Sequence, residues 1–231
     1  FGTQKPLVEN QRMTIEAIPA AISTLNTFFK KAGYATGAVQ TNPHLRGEYG
    51  FGRDCDRYEM IGWKPAVEVT DAAIAVAQTF RKPFFLYVHY IDLHAPYEPA
   101  EPYYAKFGPP PPLTDEDRRM LDGTTYAQAY YLDKILFDVG VHKERKNGEF
   151  SDGARAHILQ CYDSECRSVD VEAARLIEAV HRLAPETIVV FTSDHGEEFW
   201  EHGSIGHSKT VYQELVHVPL IIQVPGDENR I

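Results

Sequence analysis

A chain of 231 residues and 26.1 kDa, 43% hydrophobic and 24% charged, has ordinary globular usage and length enough for one sizeable core, which excludes a disordered or fibrous class. The formal net charge of −10, with no Lys/Arg-rich stripe, argues against a nucleic-acid partner, whose backbone is held by clustered cations. No apolar run approaches the ~20 residues that span a bilayer, so no membrane span is expected in this segment.

In chain order, Ile22, Leu25, Phe28, Phe29 and Ala32 recur at helical spacing and stop at Gly33, a good residue just past a helix end. Ala35–Gln40 is the first of four near-continuous apolar runs; the others are Phe84–His89, Thr187–Thr192 and Leu220–Val224. Unbroken apolar character predicts strands of a sheet covered on both faces. A helix is expected over Thr70–Phe80 with Thr70 as its N-cap. Glu98–Thr114, rich in Pro and Tyr and including four consecutive prolines, reads as a long surface excursion, and Glu144–Asp152 as a second loop. A long helix from about Ala154 to Leu183 buries Ile158, Val169, Ala173, Leu176, Ile177 and Val180, and ends before Pro185. It carries Cys161 and Cys166; with Cys55 these make an odd set that fits neither a disulfide framework nor a zinc knuckle, and the helical pair reads as core. Strands alternating with helices predict an α/β domain around a mostly parallel sheet.

In such sheets ligands sit beyond the carboxyl ends of strands, so the residues after each strand carry the chemical reading. Ser193-Asp194-His195-Gly196-Glu197-Glu198 follows Thr187–Thr192. An adjacent carboxylate and imidazole released by a glycine turn suit one Ca²⁺, Mn²⁺ or Zn²⁺; the alternative is a turn in which Asp194 caps a following helix. After Phe84–His89 come Asp92 and His94, with Pro96 keeping the backbone there extended. His202, His207 and Lys209 lie in a third segment, which could fold over a bound anion or remain a solvated loop.

Together these segments resemble the sulfatases. Thr187–Gly226, TIVVFTSDHGEEFWEHGSIGHSKTVYQELVHVPLIIQVPG, is similar to that family's closing block; Pro83–Pro99, PFFLYVHYIDLHAPYEP, to its middle block; Tyr162-Asp163-x-Glu165 with Asp170 to the helix before the closing strand; and Gly33–Leu45, GYATGAVQTNPHL, to an earlier block. The matches run in the right order over nearly the whole chain.

The resemblance implies an alkaline-phosphatase-like three-layer sandwich with a mostly parallel central sheet, and a sulfuric ester hydrolase that clamps sulfate with a divalent metal, usually calcium, with manganese or zinc as alternatives. It implies Asp194 and His195 as metal ligands, and His94 as a catalytic residue that contacts sulfate. His207, 13 residues past Asp194, takes the other catalytic position at the ester, where it could protonate or stabilise the departing alkoxide. Lys209 joins His94 and His207 as a substrate-binding candidate. The implied substrate is a small-molecule or glycan sulfate ester.

Two departures accompany this. The family's nucleophile, a formylglycine made in a CxPxR-type motif, has no counterpart around Cys55, Cys161 or Cys166. The expectation is therefore that residues 1–231 form the later part of one catalytic domain, with the nucleophile region upstream. Thr41-Asn42-Pro43-His44 stands where many sulfatases have a Lys-x-His pair. Rival readings are a phosphoglycerol or phosphoethanolamine transferase or a phosphodiesterase of the same superfamily, and a non-catalytic relic.

Overall fold

The computed structural model describes the backbone of Leu7–Glu9 and Arg12–Thr14, and residues 17–81, 83–122, 150–203, 205–207 and 210–226. It divides into two compact units. The first comprises Phe1–Asp92 with Val169–Pro185, the second Leu93–Ser168 with Glu186–Ile231.

In the first unit, β1 (Leu7–Glu9) pairs antiparallel with β2 (Arg12–Thr14). Helix α1 (Leu25–Lys31) starts at Thr24, whose side chain accepts from Thr27 N in a capping box, and its chain turns at Gly33 with φ +86°. Strands β3 (Ala35–Gln40), β4 (Arg57–Met60) and β5 (Phe84–Val88) form a parallel sheet in the order β4-β3-β5, with α2 (Ala66–Thr79) between β4 and β5 in sequence. The central strand β3 is buried from Thr36 to Gln40, as its near-continuous apolar run predicts. Val39, Val69, Ala73 and Val76 form the aliphatic core, packed by Phe80, Leu86, Val88 and Leu176. Phe29 of α1 stacks on Phe85 at 4.3 Å, whereas Leu25 and Phe28 of the same helix are mostly exposed. Periodicity located that helix but did not define its buried face.

The start of α2 corrects the sequence reading. The helix begins a turn earlier than Thr70, at an N-cap of Pro65, and the Asp92 carboxylate at the end of β5 accepts from Ala66 N over 2.7 Å. A distant side chain thus satisfies the end that the local search assigned to Thr70. Thr70 lies inside α2 with its hydroxyl 2.8 Å from the Tyr90 hydroxyl.

The second unit is built differently. Helix α3 (Asp115–Leu121) has a capping box between Thr114 and Asp117. Helix α4 (Asp152–Leu183) supplies its residues up to Ser168 here and its later residues to the first unit. Strands β6 (Val189–Thr192) and β9 (Leu220–Gln223) pair antiparallel; β7 (Glu198–Phe199) and β8 (Ile205–Gly206) make a short ribbon; α5 (Gln213–Val216) precedes β9. The core here is mixed: Tyr97, Tyr104, Ile158, Cys161 and Ile205, edged by Tyr162, Phe199 and Trp200.

One further expectation is corrected and another is extended. β6 and β9 are not buried on both faces. β6 alternates half-buried and exposed residues and β9 is exposed throughout, Leu220 at 65%, because among the described residues each pairs only with the other. The excursion after Glu98 is exposed at most positions, as expected, with Tyr104 buried, and it is also tied to α4. Gln160 of α4 donates to Tyr104 O and Gly108 O at 3.1 and 2.9 Å, Ser164 Oγ accepts from Ala100 N at 3.0 Å, and Glu165 accepts from Glu98 N at 2.9 Å. Buried polar side chains of one helix take up backbone groups that a loop cannot pair by itself. Residues 144–149 of the second loop lie outside the described residues, and Asp152 opens α4.

Candidate active site

Past the end of β6 the chain enters Ser193-Asp194-His195-Gly196, and Gly196 fixes its course. Gly196 N donates to Leu215 O at 2.9 Å, and a Cβ added there would stand 1.9 Å from Glu214 O. Only glycine lets α5 approach so closely. A second tie closes the same segment: His202 pairs with Glu214 at 2.9 Å and stacks on Tyr212 at 3.5 Å.

Three imidazoles gather here. His195 and His207 stack with centroids 3.9 Å apart, and His94 meets His207 edge-on at 5.1 Å. Each has Nδ1 against an acceptor. His94 Nδ1 lies 2.8 Å from Ala95 O, His195 Nδ1 2.8 Å from Gly196 O, and His207 Nδ1 3.0 Å from Glu197 Oε1. A carbonyl or carboxylate only accepts, so Nδ1 carries the hydrogen in all three, and Nε2 is the nitrogen left for metal or substrate chemistry. Burial holds the His94 imidazole below its ordinary pKa, which favours the neutral ring.

Asp194 completes the cluster. Its Oδ1 lies 3.7 Å from His195 Nε2, and both side chains reach solvent. Two donors at that spacing fit neighbouring positions around one cation, given ligand bonds of about 2.0–2.5 Å. Alone they would make only a partial shell. Among the described residues no group of three or more His, Cys, Asp or Glu is arranged to hold a metal. A cavity of about 330 Å³ is lined by Asp194, His195, His207, Thr210, Leu215 and Val216. His94 touches this group through His207 and is not among the lining residues. Lys209, the remaining substrate-binding candidate, lies outside the described residues.

Sequence reasoning passed over Glu197 and Tyr97. Glu197 is 4% exposed at its side chain, accepts from His207 Nδ1, and receives the Tyr97 hydroxyl on Oε2. The signal available was a carboxylate two residues past His195, together with a tyrosine three past His94. Asp92 and Asn42, both polar residues beyond strand ends, have local work instead: Asp92 caps α2, and Asn42 Oδ1 accepts from His44 N at 2.9 Å. None of the cysteines suits thiolate chemistry. Burial raises Cys55 and Cys166 to about 11 and Cys161 to about 12.

The family model described as Sulfatase matches residues 3–230. Arylsulfatase K of Mus musculus is 28% identical over 179 residues, covering 68% of this chain and 30% of that protein, so the chain spans under a third of this relative's length. The phosphonate monoester hydrolase of Agrobacterium radiobacter superposes with a TM-score of 0.62 at 17% identity, over 91% of this chain and 54% of that one. A structure solved in complex with its substrate D-glucosamine-2-N,6-O-disulfate superposes with a TM-score of 0.62 at 18% identity, over 91% and 57%. The fold is alkaline-phosphatase-like, mixed α/β with a three-stranded parallel sheet. Among the described residues no helix is long and apolar enough to cross a membrane.

Proposed function

We propose that this chain, which belongs to the sulfatase family, carries the metal-binding and leaving-group side of a sulfuric ester hydrolase. The observation that supports this most is the packing of three imidazoles anchored through Nδ1: His195 and His207 line one cavity with the Asp194 carboxylate, and His94 stands edge-on to His207.

Asp194 and His195 would hold the divalent cation, calcium by family habit, with manganese or zinc accommodated by the imidazole donor. When bound, the cation supplies Lewis-acid polarisation of the sulfuryl oxygens. His94 is assigned to the sulfate group by resemblance. With its Nδ1–H given to Ala95 O, Nε2 donates to a sulfate oxygen only as the imidazolium, a form that the adjacent anion would favour against the effect of burial. His207 delivers a proton from Nε2 to the departing alkoxide, and Nδ1 keeps its hydrogen against Glu197 throughout. Lys209 is retained as a substrate-binding candidate from its place in the same segment, while the family's ester-contacting position falls on His207. The nucleophile is assigned to a formylglycine outside these 231 residues, since no cysteine stands in a CxPxR context. The substrate class is a sulfate ester of a small alcohol or glycan, and the loop after Glu98, held by α4, is the candidate selector of that alcohol.

The test is turnover of nitrophenyl sulfate by the full-length protein co-expressed with a formylglycine-generating enzyme. Activity should vanish on chelation, return with calcium, and fall about 100-fold or more in Asp194→Ala. Turnover of phosphonate or phosphate diesters without turnover of sulfate esters would overturn the sulfate assignment in favour of the phosphoryl side of the superfamily.

A further inference from the structure

We infer that Glu197 is a positioning residue for His207, locked in turn by Tyr97, and that this three-member chain aims the His207 Nε2 proton at the leaving alcohol. The inference rests on the reading of His207 as proton donor and adds to it the groups that make the donor directional.

Three observations carry it. Glu197 faces His207 with both carboxylate oxygens, 3.0 and 3.4 Å from Nδ1, so the ring cannot rotate about its Cβ–Cγ bond without losing this acceptor. The Tyr97 hydroxyl donates to the same carboxylate from a position 100 residues away in sequence, and Tyr97 is itself buried and packed edge-on against Tyr162 at 5.5 Å. Glu197 is nearly sealed from water, and its only described ion-pair partner is His207. A buried carboxylate is costly to keep unless its hydrogen bonds are complete, and a purely structural position here would be filled as well by an uncharged residue. Its two partners divide the labour: the tyrosine fixes the carboxylate, and the carboxylate fixes the imidazole. Fixing Nδ1–H leaves Nε2 as the atom through which His207 gains or loses a proton, in the manner by which carboxylates orient catalytic histidines elsewhere.

A donor matters in proportion to the basicity of the leaving group. An alkyl sulfate departs as a strongly basic alkoxide, a nitrophenyl sulfate as a weakly basic phenolate. In the full-length, formylglycine-bearing enzyme, Glu197→Ala should lower kcat on an alkyl sulfate by about 10- to 100-fold with KM little changed, and on nitrophenyl sulfate by only a few-fold. Glu197→Gln, which keeps the shape and an acceptor oxygen, should recover part of the alkyl-sulfate rate, and Tyr97→Phe should show the same pattern more weakly. Folding of each variant is checked by its thermal transition, with the near-isosteric Glu197→Gln as the safeguard. Independently of turnover, ¹⁵N spectra should show His207 as the Nδ1–H tautomer in the parent and a tautomer mixture in Glu197→Ala.

His207→Asn separates the two claims. If it loses alkyl-sulfate turnover selectively while Glu197→Ala loses both substrates equally, the positioning role is overturned and the donor reading stands. If His207→Asn itself affects both substrates equally, the donor reading falls. An unchanged His207 tautomer in Glu197→Ala overturns the positioning role in either case.

Discussion

The two units of this chain are held together by different physics. The first is a parallel sheet over an aliphatic core, Val39, Val69, Ala73 and Val76, in which β3 is covered from Thr36 onward. The second has a core of tyrosines, a cysteine and a few aliphatics, and its ordered loops depend on buried polar side chains: Gln160, Ser164 and Glu165 on backbone amides and carbonyls, and Glu197 between Tyr97 and His207. Aliphatic packing is non-directional and tolerates volume-conserving change, whereas hydrogen-bonded cores are unforgiving, because a lost partner leaves a desolvated group behind. The described site residues all belong to the second unit. Positioned chemistry needs side chains whose directions are specified, and the second kind of core specifies direction.

That contrast is open to attack by substitution, and the sharpest attack is at Gly196. Gly196→Ala drives a methyl group into the Glu214 carbonyl, a backbone atom that moves only with α5. We expect a loss of about 3 kcal/mol in the unfolding free energy and loss of activity in the remaining folded protein, read from urea melts and kcat. A melt within experimental error of the parent would mean that the turn is not a fixed frame.

Val69→Ala probes the other unit. Val69 is fully buried in α2 against the sheet. Removing two methyl groups there should destabilise by about 2 kcal/mol while kcat per folded molecule stays that of the parent. A fall in kcat without loss of stability would break the division of labour drawn above.

Smaller still is the expected effect of Gln160→Ala, which strips Tyr104 O and Gly108 O of their donor. About 1–2 kcal/mol of stability should go, and KM should rise with kcat nearly intact, because the loop it holds is the proposed selector of the alcohol rather than part of the sulfate site. An unchanged KM would remove that loop from substrate selection.

Much of this was legible in the residues. β3 matches its near-continuous apolar run to the residue, and β5, β6 and β9 lie within theirs, since short, mostly apolar runs leave few other conformations that bury them. The short strand Arg57–Met60 escaped notice because it is largely exposed and carries no such run. The start of α2 was misplaced because its cap comes from Asp92, and no local window contains that carboxylate. Burial of β6 and β9 was overestimated for a related reason: an apolar run reports what a strand is suited to lie against, not what lies against it in these residues.

The site divides along the same line. The residue types Asp194, His195, His94 and His207, and their placement after strands, were determined by sequence, because a motif is short-range and a strand end is a local event. The Nδ1 contacts of His94 and His195 are local, each with the next residue's carbonyl. That His195 and His207 stack, that His207 Nδ1 is anchored on Glu197, and that Glu197 stands between His207 and Tyr97 were decided only by the tertiary structure. Such contacts form where the chain closes segments of 10 to 100 residues, and a hydrogen bond depends on ångströms and angles set by packing at both ends of that closure.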